Sequence, residues 1–293
     1  MFHRSSDRID LPSLPEALRR IIDITKCNEV DAESLAHVVM IDQSLACKVL
    51  RLANSAYFAR RDKAETVTDA IITLGSGYVR NLAASASVLD ALFPSNAFPG
   101  FHWHHFWKHS VTTAIAAESF YAFATGCRKK NEESAFVAGL MHDVGKLVIA
   151  RALPFKFRQV VETCRERRLE MLSIETELLG TNHIYIGKQL ARSWQFPDKL
   201  LTGIAYHHAP ENAREHQDLA AAVCAADMLA KRIEDSYLVG MHPNISLGDI
   251  AKTAGLDAQG VNFVIDEVRI GLKRCGEILS WGKDMPYDMS RAA

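Results

Sequence analysis

The chain has no excess of charge of either sign. Its 34 Lys plus Arg face 35 Asp plus Glu, a net charge of -1, so no global basic field exists to hold nucleic acid or an anionic membrane. It also lacks any CxxC pair: Cys27, Cys47, Cys127, Cys164, Cys224 and Cys275 lie far apart in a chain of 293 residues, too large to need disulfide staples. They read as buried thiols in a reducing cytoplasm. No apolar run approaches the roughly 20 residues that span a bilayer, and MFHRSSDRIDLPSLP has no apolar core of signal-peptide length. The expectation is a cytoplasmic protein without membrane contact. Alternating strand patterns, internal repeats and low-complexity tracts are missing as well. What is present is an ordinary globular composition, 48% hydrophobic and 24% charged, with helical periodicity from Leu11 to Leu279. The fold class is all-α.

Punctuation divides the chain. Ser13 with Glu16, and Pro15 in the first turn, open PEALRRIIDIT; Asp31 and Asp42 are caps for the next two helices; Thr68 opens DAIITL and Gly75 closes it. PSNAFPGF, with Pro94, Pro99 and Gly100, is the main boundary. The expected organisation is a flexible N-terminus over 1–10, an N-terminal helical subdomain over 11–98 and a helical bundle over 99–240. A C-terminal helical extension over 241–283 and a flexible tail over 284–293 complete it. Within the bundle, helices are predicted at 104–125, 132–150, 154–168, 171–194, 198–208 and 216–234.

AFVAGLMHDVGKLVIA places adjacent His142 and Asp143 in a greasy segment, with Lys146 three and four residues on and Gly145 leaving room for close approach. Taken alone, the pair reads more simply as a hydrogen-bonded core turn. Its company changes that. His109, His183, His207 and His208 also sit in helices predicted to be buried, and Asp227 lies in the apolar AAAVCAADMLA. A bare carboxylate there needs a cation, a proton or several donors. Several helices each giving one or two inward ligands is an established way to build a carboxylate–histidine metal site.

A histidine, a later His-Asp followed by Gly-Lys, and a final aspartate in an apolar helix resemble the HD superfamily of metal-dependent phosphohydrolases. The resemblance implies that His109, His142, Asp143 and Asp227 hold one metal. It also implies that His183, His207 and His208 resemble the second-metal ligands of the HD-GYP branch, with Asp143 bridging and Lys146 assisting at a phosphate. LPSLPEALRRIIDIT, IDQSLACKVLRLANSAYF and DAIITLGSGYVRNLAAS look very like the HDOD family, the HD-related output domains, from about Leu11 to about Pro210. That implies an HD-like bundle behind the N-terminal subdomain and a regulatory role in bacterial signalling, exercised through protein partners. One or two divalent ions are expected, iron or manganese ahead of zinc, since imidazole and carboxylate suit all three. The alternative is a phosphohydrolase or phosphodiesterase acting on a nucleotide or cyclic dinucleotide, with Lys146 and Asp143 catalytic. One departure counts against the HD-GYP substrate, cyclic di-guanylate: HHAPENAREHQDL stands where those enzymes carry Gly-Tyr-Pro.

Other features have plainer readings. In FHWHHFWKHS, His109 alone is taken as a ligand, although His105 shares its face. Residues 246–274 have the outline of a helix-turn-helix, but Asp257, Asp266 and Glu267 precede the basic residues, so DNA binding is disfavoured against bundle packing. Arg60, Arg61 and Arg165 to Arg168 are solvated faces, and Cys164 has basic neighbours but no other mark of a nucleophile. Glu175 and Glu177 are equally readable as acceptors orienting His183 or as surface residues.

Overall fold

A computed structural model describes residues 9–25, 32–54, 64–77, 79, 83, 86–88, 92, 103–126, 133–233 and 245–274. Among these residues every regular element is helical. Four helices come first: α1 (Glu16–Thr25), α2 (Ala32–Ile41), α3 (Gln43–Ala53) and α4 (Val67–Leu74). The bundle comprises α5 (Trp103–Thr125), α6 (Glu133–Met141), α7 (Val144–Ala152), α8 (Pro154–Arg167), α9 (Met171–Leu179), α10 (His183–Ser193), α11 (Asp198–Tyr206) and α12 (Gln217–Ile233). A last pair, α13 (Leu247–Ala254) and α14 (Ala258–Arg274), follows. The PSNAFPGF boundary, Asp31, Arg60, Arg61, His102, Cys27, Cys127, Cys275, the tail and much of the helix expected after Ser76 fall outside the described residues.

Local chemistry explains the helix ends. The Asp42 carboxylate accepts from Leu45 N at 3.1 Å, as a cap should. Thr66, two residues before the expected Thr68, is the true start of α4, because Thr66 and Asp69 bond each other's backbone in a capping box. Ser246 and Asp249 repeat that device at α13, and Gly255 closes it in the left-handed conformation.

Two apolar clusters organise the chain. The first joins Ile21, Leu35, Val39, Val49, Val67 and Val79; the second runs from Val88 and Leu92 to Val268. The final pair belongs to the second, since Ile250, Val261, Val264 and Val268 are buried in it. Residues Ile9, Leu11 and Leu14 also pack on the second cluster, and Trp194 donates to the Pro12 carbonyl at 3.1 Å. Helix α5 is the axis, packing along α6, α12 and α14, and is buried on nearly every side from Phe106 to Ala117. Glycines let the helices close up: a methyl on Gly139 would lie 2.7 Å from Ala114 Cα, and one on Gly203 2.7 Å from Ala138 Cβ.

In the first cluster Asn54 joins two distant backbone groups, donating to the Ala64 carbonyl at 2.7 Å and accepting from Ala64 N at 2.8 Å. Replacing Asn54 with Ala leaves both Ala64 groups without these bonds. Chemical denaturation of Asn54→Ala should show a loss of about 1–3 kcal/mol.

Candidate metal centre

The site is built from helix ends. The helix expected over 132–150 is in fact two, α6 and α7, because His142 and Asp143 form a turn between them. His142 donates its Nδ1 hydrogen to the Gly139 carbonyl at 2.7 Å, satisfying one of the acceptors that α6 leaves open at its end. Asp143 sits at φ -97°, ψ 13°, the sparsely allowed bridge region where many active-site residues are found. The helix expected over 171–194 breaks likewise: Gly180 closes α9 at φ 69°, and Asn182 caps α10 through Tyr185 N. That break makes His183 the first residue of α10. His207 follows the last residue of α11 and donates Nδ1–H to the Ile204 carbonyl at 2.9 Å, repeating the arrangement of His142. His109 and Asp227 come from within α5 and α12.

Glu175 completes the set. Its Oε2 accepts from both the backbone N of His183, at 2.9 Å, and His183 Nδ1, at 2.5 Å. Carbonyls and a carboxylate can only accept, so His142, His183 and His207 each carry their hydrogen on Nδ1. An imidazole held this way, and neutral, presents a bare lone pair at Nε2, the form that ligates metal. The Nε2 atoms of His142, His183, His207 and His208 are buried and have no hydrogen-bond partner of acceptable geometry among the described residues.

These atoms converge on the two carboxylates. His109 Nε2 lies 3.2 Å from Asp227 Oδ1 and 3.9 Å from Asp143 Oδ2, and His142 Nε2 is 3.3 Å from Asp143 Oδ2 and 3.7 Å from Asp227 Oδ1. On the other side, His183 and His207 Nε2 stand 3.6 and 3.7 Å from Asp143 Oδ1. Each carboxylate has its own ammonium: Lys146 Nζ is 2.5 Å from Asp143 Oδ2, and Lys231 Nζ 2.6 Å from Asp227 Oδ2. Apart from His208, which is half-buried, the seven sequence-predicted ligands are at most 3% exposed.

Burial and charge set the protonation states. Burial pushes both aspartates up, but their neighbours hold them well below the usual carboxylate range: the His142 and Lys146 charges at Asp143, the Lys231 charge and a hydrogen bond from His109 at Asp227. Burial depresses His109 and, with help from His208 and His142, pushes His207 well down. Burial and the Lys231 charge bring His208 to about 3. His142 is the exception, for burial there is outweighed by Asp143 and Asp227, which lift it to about 9. A proton on its Nε2 and a metal at the same atom are alternatives.

Three groupings have donor atoms within 4.8 Å of one another: His109, His142 and Asp227; His142, Asp143 and His207; and His183, His207 and His208. Imidazole and carboxylate donors at this spacing, with Asp143 between the outer two groups, could hold metal. All seven sequence-predicted ligands and Lys146 are therefore brought together. Lys231 was not singled out by sequence, although its place four residues after Asp227 on one helix was a readable signal.

The remaining expectations resolve separately. Glu175 is a buried acceptor, whereas Glu177 is exposed and pairs with Arg167 at 2.9 Å. Burial raises Cys164 to about 11 and Cys224 to about 12, the opposite of an activated thiol, despite the basic neighbours of Cys164. His104 and His105 are half-buried and belong to none of the three groupings. In α14, Val261, Val264 and Val268 face the core and Phe263 meets Phe123 of α5 edge-on at 5.2 Å, so the helix-turn-helix outline is bundle packing. No described helix is long and apolar enough to cross a membrane.

Fold and site together define a helical bundle enclosing a histidine–aspartate cluster suited to metal. The chain belongs to the HDOD domain family, whose model matches residues 11–210; Asp227 lies beyond the match. A Shewanella amazonensis structure, provisionally assigned as a phosphohydrolase, superposes at TM-score 0.71 with 26% identity, covering 97% of this chain and 99% of that one. A Marinobacter aquaeolei structure, provisionally assigned to signal transduction, gives TM-score 0.72 and 26% identity over 98% of this chain and 62% of its own. An uncharacterized Treponema pallidum protein is 25% identical over 236 residues, 78% of this chain and 44% of that protein. The chain thus spans less than half the length of the curated relatives it matches.

Two predictions follow from this geometry. A methyl on Gly145 would lie 1.9 Å from the His183 carbonyl oxygen, so Gly145→Ala should force α7 and α10 apart. Thermal and chemical denaturation should show a loss of about 3 kcal/mol or more, with metal uptake reduced; Gly248→Ala, whose methyl would meet only Ser246 Oγ at an ordinary 3.5 Å, is the near-neutral control. Alkylation of the native protein at neutral pH, mapped by mass spectrometry, should label exposed Cys47 well before Cys164 or Cys224.

Proposed function

We propose that this chain is a cytoplasmic regulator of bacterial signalling that acts through protein partners and keeps a working metal centre. One or two ions would be held there, iron or manganese ahead of zinc, by His109, His142, Asp143, His183, His207, His208 and Asp227. The observation that carries the reading is the convergence of seven donors in the interior, six of them at most 3% exposed. That burial suits holding a metal better than admitting a large substrate. The divergent HHAPENAREHQDL segment after the paired histidines points the same way.

A second reading, a metal-dependent phosphohydrolase acting on a nucleotide or cyclic dinucleotide, is supported by the Lys146 ammonium held against Asp143 beside the donors. Divalent ions there would neutralise phosphate charge and lower the pKa of a bound water. Lys146 would then offset charge developing on a phosphoryl oxygen. DNA binding through residues 246–274 has the least support, because that segment's apolar face is used in the core.

Metal analysis of protein purified without chelator, run beside a phosphodiester screen, separates the readings. The regulator should carry about one metal or more per chain, lost in His142→Ala plus Asp143→Ala, with little turnover. Less than one ion per several chains would sink the metal centre, and turnover on the order of 1 per second or more would make the protein an enzyme.

A further inference from the structure

The two ends of the cluster are not equivalent. At one end, His183, His207 and His208 form one grouping, Asp143 Oδ1 lies 3.6 and 3.7 Å from His183 and His207 Nε2, and His183 is backed by the buried Glu175 carboxylate. A carboxylate behind a ligating imidazole fixes the ring and strengthens it as a donor. At the other end, His109 and His142 face Asp227, and both carboxylate oxygens labelled Oδ2 are already engaged by lysine: Asp143 by Lys146 and Asp227 by Lys231. The two anions that would draw a dication to this end are thereby partly neutralised before any metal arrives.

Lys231 is the adjustable member of this arrangement. It lies one turn past Asp227 on α12, and its side chain is 26% exposed, whereas Lys146 is 3% exposed. Removing the Lys231 charge would leave Asp227 a buried carboxylate with less compensation, and a group in that condition binds a cation more avidly.

Resting on the metal-centre reading above, we propose that Lys231 sets the order of metal loading. The His183–His207–His208 end fills first, and the His109–His142–Asp227 end is a weaker second position whose affinity the Lys231 ammonium holds down. The protein would then respond to metal supply in two stages, with a one-metal form over a range of free metal and a two-metal form above it.

Calorimetric titration of the metal-free full chain with Co(II), read in parallel by visible absorption, tests this. The native protein should take up cobalt in two steps, the first removed by His208→Ala and the second by His109→Ala. Lys231→Met should tighten the second step about tenfold or more and the first by much less, since Lys231 also acts on His208, while Glu175→Gln should weaken the first about tenfold. Lys231→Arg, which keeps the charge, should behave as the native protein and guards against a packing effect at this position. An unchanged or weaker second step in Lys231→Met, or a first step lost in His109→Ala instead of His208→Ala, overturns the loading order. No cobalt bound by the native chain would overturn the metal centre itself, a failure distinct from a wrong order.

Discussion

Two carboxylates, Asp143 and Asp227, are buried within reach of the same histidines, and the surrounding structure exists to make that tolerable. Removing a carboxylate from water costs several kcal/mol even after relaxation. The compensation is mostly local: Lys146 lies three residues from Asp143 and Lys231 four from Asp227, so helical geometry delivers each ammonium to its carboxylate. Because each anion has an ammonium three or four residues along the chain, the long-range folding problem reduces to bringing imidazoles to them.

Helix termini solve that problem. An imidazole within a helix takes its direction from the backbone, but one just past the end can turn back and donate to a carbonyl the helix has left open. His142 and His207 both do so, three residues downstream of the acceptor. His183, at a start instead of an end, has no such carbonyl and uses Glu175 from the preceding helix. Metal-binding geometry and helix capping are here one set of hydrogen bonds, so the breaks in the bundle are the site's scaffold.

Sequence reading reached the helical class, the histidines and aspartates that cluster in the interior and the capping role of Asp42, because each leaves a local mark: periodicity, a polar residue in an apolar run, an Asp before a helix. It missed the breaks at His142–Asp143 and near Gly180–Asn182. Neither contains proline; the apolar pattern runs across the first, whereas the second carried local signals, Gly180 as a helix stop and Asn182 as a cap, that the periodicity on either side overrode. Glu175 and Glu177 were indistinguishable in sequence because they are two residues apart on one helix; only packing tells the buried carboxylate from the one paired with Arg167. The helix-turn-helix outline at the end of the chain reproduced the pattern of a DNA reader, yet its apolar face belongs to the bundle core.

The approach of α7 to α10 at Gly145 has a use beyond this molecule. Ligand residues can persist in a chain after the backbone has drifted apart, so a full roster of histidines and aspartates does not prove a closed centre. A side chain at the position of Gly145 would be incompatible with the spacing seen here, whatever the ligands, because the His183 carbonyl occupies the space a Cβ requires. That position is a diagnostic of geometry instead of chemistry, and it distinguishes relatives that can share this centre from those that merely keep its letters.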